Sequence, residues 1–181
     1  MNLPNTLTIF RIILVPVFMF FLLVKIPYGQ YIAAAIFIIA ASTDGLDGYI
    51  ARKRKQITNF GKIMDPLADK LLVSAALISL VQLGKIAGWV AVIIIGREFA
   101  VTGLRSVAAA EGIVIAASKL GKYKTISQII AIVAILINEF ILNLLGFSLG
   151  QYLLYIAVFF TLYSGIDYFL KAGKLLKVGL K

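Results

Sequence analysis

Six apolar runs, each long enough to cross a bilayer, leave this chain of 181 residues little freedom in what it can fold into. They fall at about Thr8–Val24, Tyr31–Ile50, Pro66–Leu83, Ile86–Ala109, Thr125–Asn143 and Leu149–Leu170. A helix needs roughly 17–25 mostly apolar residues to span the hydrocarbon, because lipid offers no partner for an unpaired backbone group. Composition agrees: 61% of the residues are apolar and 14% charged, against about 45–50% and 25% in soluble domains. The connectors are short, without a low-complexity linker or a repeat. The expected fold is therefore an all-α integral membrane protein of six transmembrane helices, a single domain over 1–181. Met1–Arg11 reads as a short polar lead-in at the membrane interface. A cleaved signal peptide fits this opening poorly, since Arg11 is its one basic residue and no small-residue cleavage site directly follows the first run.

Lys and Arg are distributed unevenly between the connectors. Arg52, Lys53, Arg54, Lys55 and Lys62 follow the second run, and Lys119, Lys122 and Lys124 follow the fourth. Lys171, Lys174, Lys177 and Lys181 close the chain, while the opposite connectors hold only Lys25 and Lys85. Basic connectors stay on the cytoplasmic side. Both termini are thus expected in the cytoplasm, with the protein a multi-pass component of the cell membrane.

Missing residue types narrow the chemistry. Without Cys there is no disulfide framework or thiolate metal site, and without His there is no imidazole base and almost no route to zinc. Catalysis must run on carboxylates, Lys/Arg and bound cations. The net charge of +10 suits anionic lipid heads or phosphorylated substrates. Nucleic acid is not expected as a partner, because the chain is built of spans and has no detached basic domain.

Four of the eight acidic residues lie close together: Asp44, Asp47, Asp65 and Asp69. Asp44 and Asp47 share a helix face at the end of the second run. Asp65, followed by Pro66, reads as the N-cap of the third helix, with Asp69 one turn further on. The basic connector would fold the two helix ends together, so that all four carboxylates converge. As interfacial caps wetted by water they would be ordinary singly, but four together at membrane depth repel one another and are costly to desolvate. Two divalent cations would neutralise them, and an oxygen-only ligand set favours Mg²⁺ or Mn²⁺. Arg52, Lys62 and Lys70 are the competing neutralisers. Paired cations of this kind clamp the attacking and leaving oxygens in displacements at phosphorus. Gly48, Ala51 and Gly61 would allow a ligand close to the helices, and Arg52 could fork onto a phosphate.

The full string, Asp44-x2-Asp47-Gly48-x2-Ala51-Arg52-x8-Gly61-x3-Asp65-x3-Asp69, resembles the signature of the CDP-alcohol phosphatidyltransferases at every fixed position. Eight such matches arise by chance on the order of 10⁻¹⁰ times per starting residue. Chain length and the six-run layout are similar to that family as well. The resemblance implies that Asp44, Asp47 and Asp65 bind one metal, and that Asp44, Asp65 and Asp69 help hold a second. It makes Asp69 the general base and sets Gly48, Ala51, Arg52 and Gly61 around the CDP-lipid. It also implies that an acceptor hydroxyl attacks the lipid-linked phosphorus of CDP-diacylglycerol and that CMP leaves. A homodimer is expected on the resemblance alone.

The acceptor is suggested by charges elsewhere. Arg105, Lys122 and Lys124 gather cations at the same mouth and suit an anionic alcohol, although the positive-inside rule alone could also account for them. Arg97 and Glu98, inside the fourth run, are either functional or an ion pair facing the bundle interior. The strings Arg97–Arg105 and Leu120–Thr125, with the opening Asn2–Thr8, resemble the branch of the family whose acceptor is sn-glycerol 3-phosphate and whose product is phosphatidylglycerol phosphate. On that resemblance Arg105, Lys122 and Lys124 hold the acceptor phosphate, and Asn5 and Thr8 lie on the nucleotide side. Inositol phosphate is the alternative acceptor. A Mg²⁺ transporter is the alternative of another class, but it would need polar residues across the whole bilayer, and the external halves of the runs hold almost none. Tyr152, Tyr155, Tyr163, Tyr168 and Trp89 read as packing or interface residues, Glu139 and Asn143 as interfacial, and Asp167 with Lys171 as a helix pair.

Overall fold

A computed structural model describes the backbone of residues 3–53, 59–112 and 118–179; the side chains of 3–4, 44–53, 59–60, 62–63, 119 and 174–179 lie outside the description. Among the described residues there are seven helices and no strand: α1 (Leu3–Leu23), α2 (Gly29–Lys53), α3 (Asn59–Gln82), α4 (Gly88–Ala110), α5 (Lys119–Leu136), α6 (Asn138–Leu145) and α7 (Leu149–Gly179). The fold is all-α, as the apolar runs require. Two stretches, Asn5–Leu23 and Leu149–Gly173, are by themselves long and apolar enough to cross a membrane. The bent pair Leu120–Leu136 and Asn138–Leu145 makes a third if taken as one span. The apolar stretch of α2 whose side chains are described runs from Gly29 to Thr43.

α1 lies against α2 and α3, α5 against α7, and α4 against both α3 and α7. The core combines large side chains such as Phe18, Phe37, Leu72, Leu80, Ile132 and Leu154 with fully buried alanines at 33, 40, 76, 131 and 157. Small residues let helix backbones approach when lipid supplies no hydrophobic drive between them. Gly150 does the same where α7 starts: a Cβ there would stand 3.1 Å from the Ile135 backbone of α5. Outward-facing positions are apolar too, among them Phe20, Ile39, Val92, Phe159 and Ile166. That is the exterior of a protein whose solvent is lipid.

Three expectations are corrected. The lead-in Met1–Arg11 is not a separate element from Leu3 onward, because α1 runs unbroken to Leu23. Arg11 and Thr8 are fully buried within it, held by partners on α2 and α3. Asp65 is not an N-cap. α3 starts at Asn59 and carries Pro66 inside it. Proline removes one helical hydrogen bond, at a cost of about 3 kcal/mol, and the burial of Gly61, Ala68 and Leu72 keeps the helix continuous. The run Thr125–Asn143 is broken, with α5 and α6 meeting at 79°. Ile137 leaves helical geometry at φ −99° and ψ 21°, just where the polar Asn138 takes a hydrogen bond from the Ser148 hydroxyl at 2.7 Å.

Candidate active site

Thr8 and Arg11 lie three residues apart on α1 and reach two different helices. The Thr8 hydroxyl donates to Asp65 Oδ1 on α3. Arg11 Nε donates to the Ala40 carbonyl at 3.1 Å and to Thr43 Oγ1 at 3.2 Å on α2. Thr43 immediately precedes Asp44, so one face of α1 holds the two acid-bearing helix segments at a common level. A buried guanidinium needs such partners, since an unpaired charge in a medium of low dielectric is costly.

Beside this junction is a cavity of about 600 Å³. α3 contributes Pro66, Asp69 and Lys70 to its wall, and α4 contributes Arg97, Glu98, Thr102 and Arg105. Ser118, Lys122, Lys124 and Thr125 come from the start of α5, and Tyr168 from α7. Glu98 accepts from Lys124, and its Oε1 lies 3.5 Å from Arg97 Nη1. Arg97 also donates from Nη2 to Ser164 Oγ at 3.0 Å and lies over the Tyr168 ring, 5.7 Å from its centroid. Arg97 and Glu98 thus face the bundle interior as a pair and line the cavity at the same time. Arg105 and Lys122 are exposed on the wall, whereas Lys124 is buried against Glu98.

Of the expected site residues, Asp69, Arg105, Lys122 and Lys124 are brought to this one cavity. Asp65 sits one turn before Asp69 and faces Thr8, and Gly61 is buried earlier in α3. Asp44, Asp47, Gly48, Ala51 and Arg52 belong to the final turns of α2, and their side chains lie outside the described residues. No group of three acidic side chains able to hold a metal occurs among the described residues. The donor set nevertheless fits a hard cation. It is oxygen only, and α1 ties the helix segments that carry it to one level.

The sequence reading gave Arg11 no place at the site, although a charge within an apolar run is functional by default. Tyr168, read as a packing residue, does pack, with Val101, Ala108 and Ala172, while its contacts to Ser118 and Arg97 had no signal in the sequence. Asp167 and Lys171 do pair, at 2.7 Å.

The family model for CDP-alcohol phosphatidyltransferases matches residues 1–163. A Bacillus subtilis (strain 168) protein named CDP-diacylglycerol–glycerol-3-phosphate 3-phosphatidyltransferase is 50% identical, over 97% of this chain and 97% of its own length. A Rickettsia bellii protein of the same name is 38% identical over 93% of each chain. A Mycobacterium tuberculosis protein named probable phosphatidylglycerophosphate synthase is 39% identical over 94% of this chain and 81% of its own. A signature matched at every fixed position, a helical membrane fold, and relatives spanning nearly the whole chain agree: this protein belongs to the CDP-alcohol phosphatidyltransferase family.

Proposed function

We propose that this protein transfers the phosphatidyl group of CDP-diacylglycerol to sn-glycerol 3-phosphate, giving phosphatidylglycerol phosphate and CMP. The observation that carries the reading is one cavity in which the motif carboxylate Asp69 meets the exposed cations Arg105 and Lys122. A carboxylate beside a phosphate-binding pair is what an alcohol that is also a phosphate ester needs. The names of the relatives from Bacillus subtilis and Rickettsia bellii specify the same donor and acceptor.

Arg105 and Lys122 bind the acceptor phosphate, with Lys124 adding positive charge from behind Glu98. Asp69 takes the proton of the attacking hydroxyl. The hydroxyl oxygen forms its bond to the lipid-linked phosphorus, the bond to the bridging diphosphate oxygen breaks, and the electron pair leaves on CMP. Gly48, Ala51, Arg52 and Gly61 receive the CDP-lipid, with Asn5 and Thr8 on the nucleotide side. Asp44, Asp47, Asp65 and Asp69 would hold two divalent cations, Mg²⁺ or Mn²⁺. When bound, such ions polarise a diphosphate and stabilise its developing charge.

The chain works as a single six-span domain with both termini and the site in the cytoplasm, and it assembles as a homodimer. Basic connectors on one side support that orientation. The lipid substrate enters sideways from the inner leaflet. The test is CMP release by purified protein with CDP-diacylglycerol and Mg²⁺, comparing glycerol 3-phosphate, inositol phosphate and glycerol. Release only with glycerol 3-phosphate, lost on adding a chelator, is expected. Release with inositol phosphate alone would reassign the acceptor, and silence with all three would overturn the reading.

A further inference from the structure

The basic residues assigned to the acceptor phosphate sit on two different helices, Arg105 on α4 and Lys122 on α5. A single phosphate can be held by both only if those helices keep a set separation. One face of α7 touches both of them. The Tyr168 hydroxyl accepts the Ser118 backbone N–H at 3.0 Å. Ser118 is the N-cap of α5, and its Oγ accepts the Gly121 N–H at 3.1 Å. An N-cap's own N–H lies outside the helical ladder and needs a partner from elsewhere. Tyr168 supplies it, four residues before Lys122.

The same ring carries the Arg97 guanidinium of α4 on its face. Ser164, one turn earlier on α7, accepts from Arg97 at 3.0 Å. Gly165 lets the arginine stem lie directly on α7, since a Cβ there would stand 3.2 Å from Arg97 Cγ. Tyr168 is 5% exposed and packs with Val101, Ala108 and Ala172 in a small cluster of its own between α4 and α7.

We propose that Tyr168 is a positioning residue for the acceptor: its hydroxyl sets the start of α5 and its ring sets α4, so that Lys122 and Arg105 meet one phosphate. The inference rests on the glycerol 3-phosphate reading and deepens it. Tyr168→Phe removes the hydroxyl and keeps the ring. The loss of one hydrogen bond is expected to raise KM for glycerol 3-phosphate about three- to tenfold. KM for CDP-diacylglycerol should stay at the wild-type value and kcat should fall by less than KM rises. Inhibition by inorganic phosphate should weaken in parallel. A merely structural role would lower the amount of active enzyme and leave every KM unchanged, which would overturn the proposal. A rise confined to KM for CDP-diacylglycerol would overturn it too. Should Tyr168→Phe fail to fold, Ser164→Ala, which removes the hydrogen bond from Arg97 to α7, must show the same selective rise or the proposal fails. Wild-type protein inactive with glycerol 3-phosphate would remove the functional reading and this inference with it, and is distinguished by being seen before any variant is made.

Discussion

The Lys124 ammonium on α5 donates to the Glu98 carboxylate on α4, with side-chain exposures of only 6% and 13%, in the wall of the cavity that Asp69 also lines. Lys124 is therefore held by the protein in a way that Arg105 and Lys122 are not. Removing one partner of a buried pair costs about 3 kcal/mol where the other is left alone, and the Arg97 guanidinium 3.5 Å from Glu98 sets that figure as an upper bound here. Lys124→Met is expected to lower the melting temperature in detergent by up to that much stability, as well as activity. Combining it with Glu98→Gln should recover most of the stability and none of the activity. A double-mutant cycle reads the coupling directly, and additive losses would show that the two residues act independently.

Arg105 and Lys122 should behave in the opposite way. Both are exposed on the cavity wall, so truncation leaves no buried charge unpaired. A hydrogen bond to a charged group contributes about 1.5–3 kcal/mol, so Arg105→Ala and Lys122→Ala should each raise KM for glycerol 3-phosphate about ten- to a hundredfold. Melting temperatures should remain those of the wild type. Unchanged KM values would place the acceptor phosphate elsewhere.

Asp69 and Asp65 lie one turn apart, yet only Asp69 lines the cavity, while Asp65 takes the Thr8 hydroxyl. Asp69→Asn should abolish turnover by the factor of about 10²–10⁴ that general-base catalysis contributes, or more if cation binding is lost with it. Thr8→Val keeps both carboxylates and removes one hydrogen bond from Asp65. Its CMP release should fall by about tenfold or less, with a higher Mg²⁺ concentration needed for half-maximal rate. A Thr8→Val enzyme with the wild-type Mg²⁺ requirement would separate Thr8 from the proposed cation site.

At the opposite end of the bundle, Lys85 sits in the turn between α3 and α4 and donates to Gln30 Oε1 at 2.7 Å. Burial lowers its pKa below the ordinary lysine value, with the Glu139 charge partly opposing the shift. Between the lowered and the ordinary value the unfolded chain holds more protons than the folded one, so stability rises with pH through that window. Below it the cost of the half-buried ammonium is fully present. Lys85→Gln removes that cost, so any stability advantage it has over wild type should shrink as pH climbs from about 8 to 11. Parallel melting curves across that range would show that Lys85 titrates as it does in the unfolded chain.

The helical membrane fold and the acidic motif were legible in the sequence, because both are written locally. Apolar length dictates spanning helices once lipid is the solvent, and the motif's fixed spacing places its carboxylates along two adjoining helices whatever surrounds them. Arg105, Lys122 and Lys124 were expected at the mouth that holds Asp69, and all four line one cavity. Where the sequence reading went astray, tertiary contacts had overridden a local signal. Pro66 looked like a helix start, yet packing around Ala68 and Leu72 carries α3 back to Asn59. The polar opening looked interfacial, yet Arg11 and Thr8 are buried because α2 and α3 supply their partners. Lys124 and Tyr168 could be assigned their partners only in three dimensions. Glu98 is 26 residues from Lys124, and Ser118 is 50 from Tyr168. No periodicity or spacing links residues so far apart: which helix faces meet depends on side-chain packing summed over the whole bundle, and that sum exists only once the chain has folded.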